Sequence, residues 1–282
     1  MEIKVAESAG FCFGVKQAVD TVYELAEKNV GRIVTLGEII HNETVVEELR
    51  TKGVTYVEDI EDIPDDATVV IRSHGVGASV IRSLEDRNIK YIDCTCPFVK
   101  KIHTIVNEHS RAGEHIVVVG SAKHPEVIGI LGWINGPSTV VENVEDALDF
   151  KPLNPTDKVC VVAQTTFNSK NFQDFVEIFS KKEYDINVVN TICRATQTRQ
   201  EEAEALSSVS DAMIVIGGAR SSNSQKLYEI CKQQCENTLF IQNADSLKNI
   251  DLDGFACLGI TAGASTPNTL IQEVLKACQK KE

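Results

Sequence analysis

The sequence lacks the features that direct a protein to membranes or nucleic acid. It contains no apolar run of about 18 residues, the length of a transmembrane helix. Its first residues, MEIKVAESAG, have neither the basic nor the apolar region of a signal peptide. Basic residues are scarce, with 28 Lys and Arg against 41 Asp and Glu, for a formal net charge of −13. We therefore expect a cytoplasmic protein without a general affinity for nucleic acid or anionic membranes.

Local cysteine and glycine motifs are also missing. None of the nine cysteines belongs to a Cys-x-x-Cys pair, which argues against a zinc ribbon or a thioredoxin-type pair. The odd number of cysteines and the missing export signal predict reduced thiols. Gly217-Gly218 before ARSSNS does not complete a Gly-x-Gly-x-x-Gly fingerprint, so no nicotinamide or flavin site is predicted. A cysteine site in this chain must be assembled by the fold.

Short apolar runs alternate with amphipathic stretches, which is typical of an α/β protein whose parallel strands are joined by helices. The apolar runs predict strands at Ile3–Ala6, Ile33–Leu36, Thr68–Ile71, Ile116–Val119, Val159–Val162, Met213–Ile216 and Cys257–Ile260. Apolar residues at three- and four-residue spacing predict helices at Cys12–Asn29, Pro97–Arg111, Phe172–Lys182, Thr196–Ser208, Ser224–Gln234 and Pro267–Lys280. A length of 282 residues suits two or three compact units.

An internal repeat divides the chain into three similar parts. Each part contains a cysteine followed by a helix, a strand and a strand-ending glycine. The interval is 25 residues from Cys12 to Gly37, 24 from Cys96 to Gly120 and 24 from Cys193 to Gly217. We therefore predict three pseudo-symmetric lobes, each a small, mainly parallel sheet flanked by helices, comprising residues 1–96, 97–193 and 194–282.

Polar residues follow two strands in each part of the repeat. Four positions after the glycines stand His41, His124 and Ser221, and a second set of strand ends supplies His74, Thr165 and Ser265. Ligands of open α/β sheets bind beyond the carboxyl ends of the strands. Three such parts facing inward predict one central site lined by thiols and polar loops.

Most of the cysteines have a simpler interpretation as small buried hydrophobes. We assign this role to those in apolar strand or helix patterns, namely Cys160, Cys231, Cys235, Cys257 and Cys278. Cys94 is left open, because it lies two residues before Cys96 but outside the register of the repeat. That register selects Cys12, Cys96 and Cys193 as metal ligands. Three thiolates among polar loops favour an iron–sulfur cluster, and a Cys3His zinc site is the competing interpretation.

Several separated motifs resemble those of the 4-hydroxy-3-methylbut-2-enyl diphosphate reductases. In chain order they are AGFCFGV at 9–15, RSHG at 72–75, DCTCPFV at 93–99, SAKHPEVIG at 121–129, QTT at 164–166, ICRATQTRQ at 192–200, SSNS at 221–224 and TAGAS at 261–265. Many motifs in the correct order are far more specific than one short pattern. The resemblance implies reductive removal of a hydroxyl group from an allylic diphosphate. The products would be isopentenyl and dimethylallyl diphosphates, in the last step of the non-mevalonate isoprenoid pathway.

The resemblance also implies a cofactor and an electron source. Cys12, Cys96 and Cys193 would bind three irons of one [4Fe-4S] cluster, which leaves the fourth iron open for the substrate hydroxyl. The reaction takes two electrons, delivered singly. Because the chain has no fingerprint for an electron-carrying cofactor of its own, the implied donor is a separate protein such as a ferredoxin or flavodoxin.

The polar loops gain roles from the same resemblance. The residues implied to bind the substrate are His41, His74, His124, Thr165, Ser221, Ser222, Asn223 and Ser265. Glu126, assisted by Thr165 and His124, would supply the proton that turns the departing hydroxyl into water.

Simpler interpretations stand beside these roles. Glu126 would also favour the dipole of a first helical turn, and SSNS would also cap a helix. His103, His109 and His115 are interpreted as structural, since they lie on a predicted helix or just after it. Two rival functions also remain open. One is a quinolinate synthase-like dehydratase, which consumes no electrons, and the other is a non-enzymatic sensor of metal or phosphate.

Overall fold

The computed structural model describes residues 1–28, 31–154, 156–248, 250–252 and 254–279. Within this part of the chain, twelve strands form three four-stranded sheets in which all neighbouring strands are parallel. The strands are β1 (Glu2–Val5), β2 (Ile33–Leu36), β3 (Val54–Val57), β4 (Thr68–Ile71), β5 (Tyr91–Asp93), β6 (His115–Val119), β7 (Ser138–Val141), β8 (Val159–Ala163), β9 (Ile186–Val188), β10 (Ala212–Ile216), β11 (Thr238–Ile241) and β12 (Cys257–Ala262). The strand orders are β1-β12-β10-β11, β3-β2-β4-β5 and β7-β6-β8-β9.

Helices connect the strands, as parallel pairing requires. They are α1 (Phe13–Glu27), α2 (Glu43–Thr51), α3 (Ala78–Asp86), α4 (Pro97–Arg111), α5 (Pro125–Leu131), α6 (Val144–Asp149), α7 (Ser169–Ser180), α8 (Arg194–Ser207), α9 (Ser222–Gln234) and α10 (Asn268–Gln279). The predicted α/β class with three small parallel sheets is therefore confirmed. Two predicted helix ends, at Asn29 and Lys280, lie outside the described residues. No helix in the described part of the chain is both long and apolar enough to cross a bilayer.

The chain divides into two compact units, and the first comprises Met1–Lys16, Ile40–Thr51 and Arg194–Glu282. It contains the sheet β1-β12-β10-β11, whose central strands are buried on both faces. Ile214 and Ile216 of β10 pack with Ile271 of α10, whereas Met213 and Val215 pack with Leu227 of α9. This alternation follows from the two-residue period of a strand. The sheet therefore has a helix layer on each side.

The second unit comprises Gln17–Ile39 and Lys52–Cys193 and contains the other two sheets. In the sheet centred on β6 and β8, Val117 and Val119 pack with Phe172 of α7. Ile116 and Val118 pack on the opposite face against α4 and α5. These core contacts fix the directions in which the carboxyl ends of the strands, and the loops after them, project.

Candidate active site

Each of the three predicted cysteine ligands has the same backbone setting. The N–H groups of Cys12, Cys96 and Cys193 donate to the carbonyls of Ala264, Ser73 and Thr165, at 3.3, 3.0 and 3.1 Å. Each acceptor is the second residue after a central strand, namely β12, β4 or β8. Each cysteine also directly precedes a helix, α1, α4 or α8. The repeat seen in the sequence is therefore a repeat of hydrogen bonding in the fold.

The strand-ending glycines also occupy equivalent positions. The N–H groups of Gly37, Gly120 and Gly217 donate to the last residues of the edge strands β3, β7 and β11, at 2.7, 3.0 and 2.9 Å. Side chains would obstruct these turns. A Cβ atom on Gly217 would lie 2.2 Å from Ser224 Oγ, and Gly37 has a φ of +70° that other residues rarely adopt. The glycines therefore let the chain turn sharply into the polar loops.

The local chemistry of the cysteines separates the predicted ligands from most of the others. Cys12, Cys96 and Cys193 are half-buried, so they combine partial exposure with a position at a helix start. Burial raises the pKa of both Cys160 and Cys231 to about 12, which keeps these thiols protonated. Three accessible thiols fit a thiolate-bound metal or cluster. This donor set alone does not distinguish iron from zinc.

Cys94 differs from the three predicted ligands in its backbone position. Its N–H donates to the carbonyl of Ile71, the last residue of β4, at 3.0 Å. Gly10 makes the corresponding bond to Ala262, the last residue of β12, at 3.5 Å. Gly10 therefore occupies the position in the first repeat that corresponds to Cys94, so this position does not always carry a thiol. Cys94 itself is buried.

A group of hydroxyls surrounds the start of α9 in the first unit. Ser221 is the N-cap residue, and its Oγ accepts hydrogen bonds from the Ser224 N–H at 3.3 Å and the Ser224 hydroxyl at 2.9 Å. The Ser265 hydroxyl lies 3.3 Å from both Ser221 Oγ and the His41 carbonyl. These contacts bring three predicted substrate-binding residues, His41, Ser221 and Ser265, to one helix end.

Asn223 supplies the clearest sign of a ligand site at this helix end. Only 5% of the residue is exposed, yet neither Nδ2 nor Oδ1 of its amide has a hydrogen-bond partner among the described residues. Buried polar groups without partners are rare because their desolvation is not compensated. Ser222 begins the helix, and its first turn has no acidic side chain. The backbone N–H groups of this first turn and the helix dipole therefore favour an anion here.

Two predicted histidines meet in the second unit. The rings of His74 and His124 are perpendicular, with centroids 5.3 Å apart. His124 is the N-cap of α5, and its Nδ1 accepts the Glu126 N–H at 3.1 Å. Because Nδ1 is the acceptor, the neutral ring carries its proton on Nε2. His124 can therefore cap its helix through one nitrogen and donate to a ligand through the other.

Glu126 is buried in the first turn of α5, with 1% of its surface exposed. Its carboxylate accepts two hydrogen bonds from Thr165, from the N–H at 2.6 Å and from Oγ1 at 2.7 Å. Burial raises the pKa of Glu126 to about 6, although both hydrogen bonds oppose the change. Glu126 can therefore hold a proton near neutral pH and pass it to a neighbouring hydroxyl. The structure brings Glu126, Thr165 and His124 together.

Thr166 is a residue that the sequence reasoning missed. His74 and Ser265 are each the third residue after the end of their strands, β4 and β12. The third residue after β8 is Thr166, whereas Thr165 is the second. Its hydroxyl accepts a hydrogen bond from Gln164 Nε2 at 2.9 Å, and Gln164 Oε1 accepts the Ser121 N–H at 3.2 Å. Gln164 thus connects the loops after β6 and β8. Counting from the end of each strand, instead of matching polar residue types, would have found Thr166.

The remaining histidines make local contacts. His103 stacks on Trp133 with ring centroids 5.3 Å apart, and burial lowers the pKa of His103 to about 4. His115 Nε2 lies 2.9 Å from Thr139 Oγ1, and His109 Nδ1 lies 2.7 Å from a Glu114 carboxylate oxygen. None of these three contacts involves a residue predicted to bind substrate.

A model of the LytB protein family matches residues 3–279. The chain belongs to the LytB protein family. Two relatives are named 4-hydroxy-3-methylbut-2-enyl diphosphate reductase. The one from Caldanaerobacter subterraneus subsp. tengcongensis is 46% identical over 279 residues, which cover 98% of this chain and 96% of the relative. The one from Clostridioides difficile is 44% identical over 275 residues, which cover 98% of each chain.

Solved structures agree with the LytB assignment. A structure of (E)-4-hydroxy-3-methyl-but-2-enyl diphosphate reductase, described as the terminal enzyme of the non-mevalonate pathway, matches with a TM-score of 0.70 and 41% identity. The match covers 99% of this chain and 100% of that one. The corresponding reductase from Plasmodium falciparum matches with a TM-score of 0.92 and 27% identity, over 98% of this chain and 87% of that one. The predicted family resemblance is therefore confirmed. The reductase names favour an enzyme over the rival sensor, and a reduction over the rival dehydration.

Proposed function

We propose that this LytB family member removes the hydroxyl group of 4-hydroxy-3-methylbut-2-enyl diphosphate reductively, giving isopentenyl and dimethylallyl diphosphates. The observation that carries the proposal is the buried Glu126–Thr165 pair, in a chain that matches the family over residues 3–279. The net reaction consumes two electrons and two protons and releases one water. One proton completes the product, and the other converts the departing hydroxyl into water.

Cys12, Cys96 and Cys193 are the proposed ligands of one [4Fe-4S] cluster. Partial exposure and reduced thiols fit this donor set, and the helix that begins after each cysteine favours the negative charge of a thiolate. When bound, a cluster held by three thiolates would supply electrons one at a time and one iron with Lewis acidity. The chain contributes the three thiolates and the loops that hold them.

Glu126 and Thr165 are the proposed proton path. In the protonated state, the Glu126 carboxyl group can donate to Thr165 Oγ1, from which it accepts when ionised. Thr165 can then pass its own hydroxyl proton to the departing group, so one proton moves along two hydrogen bonds. Burial favours this path, because bulk water does not compete for the Glu126 carboxyl group.

The proposed diphosphate ligands are mainly neutral donors. Ser221, Ser222, Asn223 and Ser265 would donate from hydroxyl and amide groups, together with backbone N–H groups at the start of α9. His41, His74, His124 and Thr165 complete the proposed set. The unpartnered Asn223 amide supports this assignment most directly, since an anion would satisfy its donor.

The electrons would come from a separate protein, such as a ferredoxin or flavodoxin, in the cytoplasm. The acidic chain, with its net charge of −13, has no glycine fingerprint for a nicotinamide or flavin of its own. The missing fingerprint supports a separate donor.

Anaerobic assays test the proposal. Purified protein should contain about four irons and four sulfides per chain, and it should convert the diphosphate to the two products only when a strong chemical reductant is present. Turnover without reductant would favour the rival dehydration. Zinc in place of iron, with full activity, would contradict the cluster.

A further inference from the structure

A group of three possible metal ligands lies at the amino-terminal ends of β6 and β8 in the second unit. His109 is in the last turn of α4, Glu114 is in the loop that follows, and Cys160 is on β8. His109 Nδ1, a Glu114 carboxylate oxygen and Cys160 Sγ lie within 4.8 Å of one another. Nitrogen, oxygen and sulfur donors of these types are the protein ligands that zinc accepts.

The backbone holds the first two ligands together. Gly113 has a φ of +85°, and its N–H donates to the Ser110 carbonyl at 3.0 Å. The Glu114 N–H donates to the His109 carbonyl at 3.1 Å. This turn folds the chain back over the end of α4, so that the Glu114 carboxylate reaches His109 Nδ1 at 2.7 Å.

The third ligand belongs to the rigid core of the same sheet. Cys160 is fully buried and pairs with Ile116 of β6. It packs in one apolar cluster with Ile102 and Val106 of α4, so its side chain lies on the face of the sheet that α4 covers. Zinc bonds of about 2.0–2.3 Å place tetrahedral ligand atoms roughly 3.3–3.7 Å apart. Side-chain movements of about 1 Å would therefore complete the site.

The electrostatics of the group favour a cation. The carboxyl end of α4 carries the negative end of the helix dipole and Glu114 adds a carboxylate beside it, while Arg111 in the same last turn carries a positive charge. The side chains of His109 and Glu114 are 29% and 18% exposed, so two of the three ligands are accessible to solvent. The Cys160 thiol is fully buried and its pKa is raised to about 12, so zinc must displace its proton on binding, as metals do at thiol ligands.

We propose that His109, Glu114 and Cys160 bind one zinc ion, with water as the fourth ligand. The ion would tie the turn between α4 and β6 to β8. Cys160 lies at the amino end of β8 and Thr165 lies beyond its carboxyl end, about 16 Å away at the rise of a strand. The zinc would therefore act on the fold and not on the reaction, and the proposal stands independently of the proposed function.

Zinc binding to the cluster-loaded enzyme tests the proposal. In anaerobic equilibrium dialysis, the wild type should retain one added zinc per chain. His109→Ala and Cys160→Ala should weaken binding on the order of 100-fold or more, because each removes a direct ligand. His109 is partly exposed, so its variant should fold even if Cys160→Ala does not. Cys278→Ala is the matched control, since it removes a fully buried thiol that is not part of the group.

X-ray absorption at the zinc edge identifies the ligands without interference from iron. One sulfur at about 2.3 Å, with nitrogen and oxygen ligands at about 2.0–2.2 Å, is the expected first shell. Two or three sulfurs would place the ion on other cysteines and overturn the proposal. Failure to retain zinc, or binding that His109→Ala leaves unchanged, would also overturn it.

Discussion

Replacing Glu126 by Gln isolates proton delivery from every other proposed role. In the wild type, Thr165 donates two hydrogen bonds to the Glu126 carboxylate, at 2.6 and 2.7 Å. The substitution keeps the size of the side chain and leaves one oxygen that can accept from Thr165. An amide cannot release a proton to the departing hydroxyl. Iron content and substrate affinity should therefore be largely unchanged, while turnover should fall.

The expected loss of turnover follows from the contribution that a general acid makes to a reaction rate. Positioned proton transfer contributes typically about 10²–10⁴-fold to a rate, so Glu126→Gln should lower kcat by that factor. With its pKa raised to about 6, Glu126 is protonated in roughly one molecule in ten at pH 7. A carboxyl group at its ordinary value of 4.5 would be protonated about 30-fold less often. Burial therefore increases the fraction of enzyme that is ready to react.

The proposed role of Glu126 also predicts the direction in which turnover changes with pH. Because the protonated carboxyl group is the active form, wild-type turnover should fall as pH rises through about 6, approaching tenfold per unit. The Gln variant should turn over slowly, and its turnover should not show this fall as the pH rises. The assay is anaerobic turnover with a strong chemical reductant, which removes the docking of a natural donor from the measurement. Near-normal turnover by Glu126→Gln would refute the argument and leave the residue as a helix-start acid.

Three further predictions concern the proposed metal ligands and the proposed anion site. Alanine at Cys12, Cys96 or Cys193 should abolish or severely reduce cluster assembly, whereas alanine at Cys160 or Cys278 should not, as measured by iron and sulfide content. Asn223→Ala should weaken binding of the diphosphate about 10- to 150-fold in calorimetry, because a hydrogen bond to a charged group is worth about 1.5–3 kcal/mol, without lowering stability. His41→Ala and His124→Ala should both weaken diphosphate binding while preserving the cluster spectrum. Only His124→Ala should also lower the free energy of unfolding, by about 1 kcal/mol in denaturant titration, because it removes a helix cap.

The central strands could be predicted from the sequence because they are buried on both faces. Strands such as β6 and β8 consist of five buried residues each, and such a strand reads as a continuous apolar run. All six central strands and the edge strand β1 were predicted, with ends shifted by at most two residues. These runs were enough to establish the α/β class.

Five edge strands of the described chain were missed, three of them for the opposite reason. Strands β3, β5 and β9 contain exposed positions, including Tyr56 with 44% exposure, so they lack a continuous apolar run. The helices α2, α3, α5 and α6 were missed because they have nine residues or fewer, which gives too few turns for a clear period. Glu126 lies on one of these short helices, so its burial was not predicted.

The loops of the candidate site do not all follow the register that the sequence suggests. Counting along the sequence assumes that the loops after Gly37, Gly120 and Gly217 have the same length. The hydrogen bonds of the helix caps show that the loop after Gly37 is longer. Asn42 caps α2 through its side chain, which accepts the Val45 N–H at 3.3 Å, just as His124 and Ser221 cap α5 and α9. The cap lies five residues after Gly37 in the first loop and four after Gly120 and Gly217 in the others.

The extra residue of the first loop explains why His41 and His124 should respond differently to mutation. Counting four residues after each glycine aligns His41 with His124, but capping aligns Asn42 with His124. Asn42 therefore satisfies the free N–H groups of α2, and His41 is not needed for that purpose. His124 has both tasks, since its Nδ1 accepts the Glu126 N–H and its Nε2 remains a donor. Removing His124 exposes an unsatisfied N–H beside the proposed proton donor, whereas removing His41 leaves the Asn42 cap of α2 in place.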